Sequence, residues 1–95
     1  MHKKFMPKPG TDKLKIHILK KLYGQRCWMG KHFSINNLPQ GLPSHERDST
    51  IIKKVVDGLI KDQWILSKPM YYGLELSLNI HKKKEIEEYI ERNLA

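Results

Sequence analysis

Thr50, Lys53, Lys54, Asp57 and Lys61 fall at i, i+3, i+4, i+7 and i+11, so a helix of about 3.6 residues per turn would carry a hydroxyl, three ammonium groups and one carboxylate on the same side. Ser49 stands at the head of the same segment. Ammonium and hydroxyl groups in this arrangement can hydrogen-bond to an anionic surface and neutralise it. Bond-making chemistry would instead need a nucleophile held against a base. No such pair falls in a recognisable signature, and His45 and Glu46 read as capping or surface groups in a turn. The expectation is a binding protein with no cofactor, not an enzyme.

The segment that must position these groups is DSTIIKKVVDGLIKDQWI, residues 48–65. Ile52, Val55, Val56, Leu59 and Ile60 share the face opposite the lysines, which predicts one amphipathic helix with a buried stripe. Asp48 is suited to cap it, because its carboxylate can accept from the free amides of the first turn. Trp64, Ile65 and Leu66 are bulky strand formers that follow at once, so helix, tight turn and strand are expected in that order.

Ninety-five residues, 39% hydrophobic and 29% charged, suit one small domain with a single core. The longest apolar runs are only a few residues, and the start MHKKFMPKPG has no apolar centre of the signal-peptide kind. A cytoplasmic protein with no membrane partner is expected. Cys27, the single cysteine, has no second thiol for a disulfide or a metal pair and reads as a buried structural residue beside Trp28 and Met29. His2, His17, His32, His45 and His81 lack the spacing of a zinc site, so no metal is expected. There is no glycine-rich phosphate loop.

The net charge of +8 is unevenly placed. Up to His45 there are nine basic residues against one acid, Asp12, whereas from Glu46 onward nine basic and nine acidic residues cancel. A pI near 9.7 is the electrostatic footprint expected of a polyanion binder, here centred on the N-terminal half. A solvated lysine-rich surface is the alternative.

Residues 1–10 form a basic segment with Pro7, Pro9 and Gly10, expected to be a flexible arm without helix or strand. Thr11 can cap a first helix over residues 12–23, with Gly24 supplying a left-handed end. Its apolar residues Leu14, Ile16, Ile18, Leu19, Leu22 and Tyr23 span about 200° of the wheel, against the ~100° a helix needs to sit on one core, so cover from two sides is expected. Lys13, His17, Lys20 and Lys21 make up the rest. QRCWM, residues 25–29, is compatible with a frayed helix end or a short strand. Residues 32–35 alternate like a strand, and Asn36 or Asn37 can cap a brief helix through Leu38 and Leu42, shortened by Pro39 and Gly41. After Trp64, Pro69 and Gly73 bracket a hairpin loop. Leu74, Leu76, Leu78 and Ile80 then alternate with Glu75, Ser77 and Asn79, predicting one buried and one wet strand face. HKKKEIEEYIERNLA, residues 81–95, places Ile86, Tyr89, Ile90 and Leu94 on a stripe about 140° wide.

Taken in order, these elements resemble the winged helix-turn-helix superfamily: an α+β fold with a three-helix core, a short strand, a β-hairpin wing and here a C-terminal helix. The winged-helix part would occupy residues 11–80. DSTIIKKVVDGLIKDQWI is similar to the segment of multiple-antibiotic-resistance-type regulators in which a polar cap, a Ser/Thr, paired apolar residues, a leucine and a glycine lead into the wing. Thr50, Ile52, Val55, Val56, Leu59 and Ile65 match, while Gln63 stands where that family usually has glycine. FSINNLP resembles the strand and the opening of the second helix.

The resemblance implies a recognition helix in the major groove, with Ser49, Thr50, Lys53, Lys54 and Asp57 facing double-stranded DNA. At the wing it implies phosphate contacts from Lys68, Tyr71 and Tyr72, although these tyrosines could equally fold back or meet a second subunit. Lys20 and Lys21 would add phosphate contacts. Terminal helices commonly pair such regulators, so Ile86, Tyr89, Ile90 and Leu94 are the expected dimerisation residues of a homodimer, unless that helix packs within its own chain. The function implied is a sequence-selective DNA-binding transcriptional regulator. The alternative is a winged-helix protein-interaction module within a larger nucleic-acid-processing assembly.

Overall fold

The first helix, α1, spans Pro9–Gly24 in a computed structural model that describes residues 9–93. It starts ahead of the expected cap at Thr11. Proline suits a first helical turn, because its φ is already helical and the amide it lacks would have had no partner there. The arm expected over residues 1–10 thus gives its last two residues to α1, and the rest of it lies outside the described residues. The end also differs from the expectation of a left-handed Gly24. The helix runs through Gly24, and Arg26 takes the left-handed turn at φ 55°. The Arg26 amide donates to the Tyr23 carbonyl at 3.0 Å and the Cys27 amide to the Leu22 carbonyl at 3.0 Å, the paired bonds of a Schellman end. Stopping here brings Cys27 onto Leu22, both fully buried, and that packing decides the position. Burial pushes the Cys27 thiol up.

The backbone of residues 27–29 then runs beside the end of the central strand, with the Leu78 amide donating to the Cys27 carbonyl at 2.6 Å and the Met29 amide to the Leu78 carbonyl at 3.2 Å. Strand β1 is Phe33–Ser34. A second α-helix does not follow. The chain instead makes two single 3₁₀ turns, Ile35–Asn37 and Ser44–Glu46, because Pro39, Gly41 and Pro43 interrupt any longer run. Ser34, rather than Asn36 or Asn37, caps the first of them by accepting from the Asn36 amide at 3.1 Å.

Helix α2 spans Ser49–Lys61, and Asp48 caps it as expected, its carboxylate accepting from the Thr50 amide at 2.8 Å. The helix closes with the same paired bonds as α1: the Gln63 amide to the Ile60 carbonyl at 2.9 Å and the Trp64 amide to the Leu59 carbonyl at 3.0 Å. Gln63 sits at φ 66°, a conformation that glycine would adopt without steric cost.

Strands β2, Ile65–Met70, and β3, Gly73–Leu78, form an antiparallel hairpin, and β1 pairs antiparallel on the other side, giving the order β1-β3-β2. The expected loop bracketed by Pro69 and Gly73 is tighter than predicted. Pro69 belongs to β2 opposite Leu74, a place proline tolerates because β2 is an edge strand, and only Tyr71 and Tyr72 make the turn. The expected alternation along β3 holds for Leu76 and Leu78, both fully buried, but fails at its end. Ser77 and Asn79 are also buried, and Ile80 is exposed in a 3₁₀ turn. Asn79 explains the change. Its amide donates to the Trp64 carbonyl, its side-chain nitrogen to the Gln63 carbonyl at 2.7 Å, and its side-chain oxygen accepts from the His81 amide at 3.0 Å. One side chain thereby joins the end of α2 to the exit of β3.

Helix α3, Lys83–Arg92, lies against α1. The two-sided cover predicted for α1 is supplied by α2 and α3, with β3 also in contact. Leu14, Ile18, Leu19 and Leu22 of α1 meet Ile52, Val56 and Leu59 of α2, Ile65, Leu76 and Leu78 of the sheet, and Ile86 and Ile90 of α3 in one core. At its edge the Lys15 ammonium lies 5.1 Å from the Trp64 ring centre and 4.7 Å from that of Tyr89. Those two rings meet edge to face at 5.6 Å. The architecture is α+β, three α-helices and a three-stranded antiparallel sheet among the described residues. No helix there is long and apolar enough to cross a membrane.

Two substitutions test these joints. Gln63→Gly relieves a left-handed side-chain clash of about 1–2 kcal/mol, offset in part by the added freedom of the unfolded chain, and is expected to raise unfolding stability by about 0.5–1 kcal/mol. Asn79→Ala leaves the Gln63 carbonyl and the His81 amide without their partner and is expected to cost about 1–3 kcal/mol. Urea denaturation reads both, and a Gln63→Gly protein less stable than the parent would contradict the assignment of strain to this residue.

Candidate nucleic-acid interface

Helix α2 is two-sided but not cleanly divided: Val55 and Ile60, expected in the buried stripe, are only half-buried, and Ile51 is exposed. Ile52, Val56 and Leu59 are buried, while Ser49, Thr50, Lys53, Lys54 and Asp57 are all exposed on the other side. The five candidate residues predicted on this helix are therefore brought together on one accessible surface. Within it, Lys53 pairs with Asp57 one turn later, its ammonium 3.4 Å from a carboxylate oxygen. Both side chains are more than half exposed, so the pair contributes little to stability and is easily exchanged for another partner. Asp57 also lowers the positive potential of this face.

The face borders an open cleft of about 560 Å³. Its other wall is made by three residues that the sequence had not marked for the site: Ile35, Asn36 and Pro39. The stretch FSINNLP had suggested strand and helix, and a proline two residues after paired asparagines is the signal that could have pointed to a rigid, hydrogen-bonded wall. Two α1 side chains hold that wall in place. His17 Nε2 lies 2.9 Å from the Leu38 carbonyl, and the Lys21 ammonium donates to the Gln40 carbonyl at 2.6 Å. Both side chains also lie close to Gly41, where a φ of 93° favours glycine.

Asn36 ties the wall to the hairpin. Its side-chain nitrogen donates to the Tyr72 carbonyl at 3.2 Å. Tyr71 and Tyr72 form the turn, with ring centres 5.1 Å apart edge to face. They differ in commitment. The Tyr72 hydroxyl donates to Glu75 at 2.5 Å, whereas Tyr71 is 98% exposed. Tyr71 therefore does not fold onto the core. Lys68 is exposed on β2, directly across from Glu75 of β3.

The remaining candidates are dispersed. Lys20 is exposed on α1, and Lys21, one residue on, has its ammonium engaged by the Gln40 carbonyl. Ile86 is fully buried and Ile90 nearly so within their own chain, whereas Tyr89 is half-buried and meets Trp64 edge to face. The chain itself thus covers the two isoleucines of the expected pairing stripe. Leu94 lies outside the described residues. Among the described residues no group of three histidine, cysteine or acidic side chains is placed to hold a metal ion.

The hairpin tip makes a pH-dependent prediction. Ionising Tyr72 would abolish its hydrogen bond to Glu75 and set a phenolate beside a carboxylate, so its pKa is raised above the ordinary 10.0, first by the hydrogen bond and then by loss of solvent and the nearby charge. Tyr23 is raised for the same reasons by its 2.8 Å bond to Glu87. A phenol whose folded pKa lies above its unfolded value adds stability that is present below pH 10 and lost as pH rises through the folded pKa. Ultraviolet titration should show Tyr23 and Tyr72 ionising late, and Glu75→Ala, which removes both the acceptor and the charge, should lower the Tyr72 value. An unchanged titration curve in Glu75→Ala would contradict the Tyr72 bond.

Among known proteins, no family model matches this chain, and no curated protein and no solved structure matches it.

Proposed function

We propose that this chain is a sequence-selective, double-stranded DNA-binding protein of the winged-helix type and acts as a transcriptional regulator. The observation that carries the proposal is the two-sidedness of α2: Ile52, Val56 and Leu59 are buried while Ser49, Thr50, Lys53, Lys54 and Asp57 stand exposed along the other side. In this reading α2 lies in the major groove. Thr50 and Lys54 meet base edges, Lys54 being able to reach guanine O6 and N7, and Asp57 can accept from cytosine N4 once Lys53 turns to a phosphate. The β2–β3 hairpin is the wing and lies along the backbone. Lys68 supplies charge there and the exposed Tyr71 a hydroxyl. The overall charge of +8 strengthens attraction to the duplex, although half of the polypeptide is neutral.

Counterion release provides the first measurement. Each phosphate neutralised should contribute about −0.9 to the slope of log affinity against log salt, so binding should weaken steeply between low and physiological salt. Thr50→Ala and Lys54→Ala should each relax preference at one position, by about 1–3 kcal/mol for a true base contact, while Lys68→Ala should weaken all sequences alike. Fluorescence anisotropy with a site selected from a random duplex pool reads these effects. A duplex affinity independent of salt, or both α2 variants leaving sequence preference intact, would overturn the proposal.

A further inference from the structure

The surface beside α2 is not polar throughout. Ile35 and Pro39 are half-buried on the far wall of the cleft, and Ile52, 3% exposed, closes its bottom. Thr50 and Lys54, both exposed, line the same cleft. Aliphatic carbon is therefore presented to the same space as hydroxyl and ammonium donors.

The wall is held from both ends before any ligand arrives. Ile35 enters a 3₁₀ turn capped by Ser34, and the next residue, Asn36, is bonded to the Tyr72 carbonyl. Pro39 has a ring-restricted backbone and lies between two anchored carbonyls, Leu38 on His17 and Gln40 on Lys21. Such a surface loses little conformational freedom when something docks on it, so the apolar contact it offers is retained in the binding free energy.

The occupant follows from the chemistry of the major groove. Guanine, adenine and cytosine present hydrogen-bonding atoms there, and thymine adds the C5 methyl, the one apolar marker among the four bases. We propose that the Ile35 and Pro39 wall of the α2 cleft recognises a thymine C5 methyl, so that these two residues determine specificity together with Thr50 and Lys54. The inference rests on α2 being the DNA reader. Because Lys54 and the apolar wall line one cleft and successive base pairs are about 3.4 Å apart, the recognised thymine lies within about two base pairs of the position that Lys54 reads.

The test leaves the protein intact and changes the DNA. In a duplex selected by the full chain, each thymine is replaced in turn by deoxyuridine, which keeps every hydrogen-bonding group and removes only the methyl. The loss of one buried methyl corresponds to about a fourfold fall in affinity. That fall is expected at one or two positions near the Lys54-dependent base, with the other replacements neutral. In Pro39→Ala and Ile35→Ala the thymine-to-uracil difference at those positions should shrink towards unity, a ratio that a general loss of stability would not change. If the duplex is bound with clear sequence preference yet every uracil replacement is neutral, or the selected site requires no thymine there, the methyl inference is overturned and the DNA reading stands. If no duplex is selected at all, the DNA reading fails and takes this inference with it.

Discussion

The width of the apolar surface on α1 is the constraint from which the rest of the domain follows. One small sheet cannot cover Leu14, Ile18, Leu19 and Leu22 together with the half-buried Ile16, so α2 and α3 pack against the same helix and all four residues are buried. Burying each such side chain is favourable by roughly 1.5–3 kcal/mol, far more than any single surface contact here can supply. Once α2 is committed by Ile52, Val56 and Leu59, its rotation about its own axis is no longer free. Ser49, Thr50, Lys53, Lys54 and Asp57 must then face outward, and the outward face of α2 is a by-product of the way α1 is covered.

The loop between β1 and α2 is too rich in proline and glycine to form a helix, and two things hold it. Leu38 and Leu42 are buried in the core, with Ile35 packed against it. Hydrogen bonds to carbonyls fix the segments between those anchors. His17 and Lys21, one turn apart on α1, hold Leu38 and Gln40, Arg47 donates to Leu42 at 2.8 Å, and Asn36 reaches the turn of the hairpin. Net, each bond contributes about 0.5–1.5 kcal/mol, but together they remove the freedom of a segment that would otherwise cost backbone entropy to order. The consequence for function is a cleft wall that is rigid without being part of a regular element. Lys21 illustrates the exchange: its ammonium is engaged in architecture, where charge alone would have suggested a phosphate contact.

The charge distribution follows the same division. Three acids of the C-terminal half sit where they temper basic or phenolic neighbours: Asp57 on Lys53, Glu75 on Tyr72, Glu87 on Tyr23. In the proposed DNA reading, a face moderated in this way would attract the duplex less strongly but discriminate more, since a carboxylate near a phosphate is repulsive and a carboxylate opposite a matching donor is not. Tyr71, exposed at the tip of a hairpin whose other tyrosine is engaged, is the least constrained aromatic group of the described surface.

Period and capping made much of this legible in the amino-acid sequence. The apolar stripe of α2 and its Asp48 cap, the hairpin after Trp64, the last amphipathic helix and the excess apolar surface of α1 all depend on neighbours within a few residues, where helix and strand periodicity act directly. The exposed set on α2 was legible for the same reason. What lay beyond the sequence were the features settled by partners distant along the chain. Gly24 was the better local end for α1, yet Arg26 takes the turn because Cys27 must bury on Leu22. Ser77 and Asn79 alternate as wet residues but are buried where residues 27–29 and the end of α2 close over β3. Whether the Ile86 and Ile90 stripe would be covered within one chain was likewise undetermined until α1 and α3 met, and the Ile35, Asn36 and Pro39 wall exists only because α1 holds their loop against α2. Local periodicity determines which face of an element is apolar; only the packed structure decides what meets that face, because the free energy of a contact depends on the element that arrives opposite it.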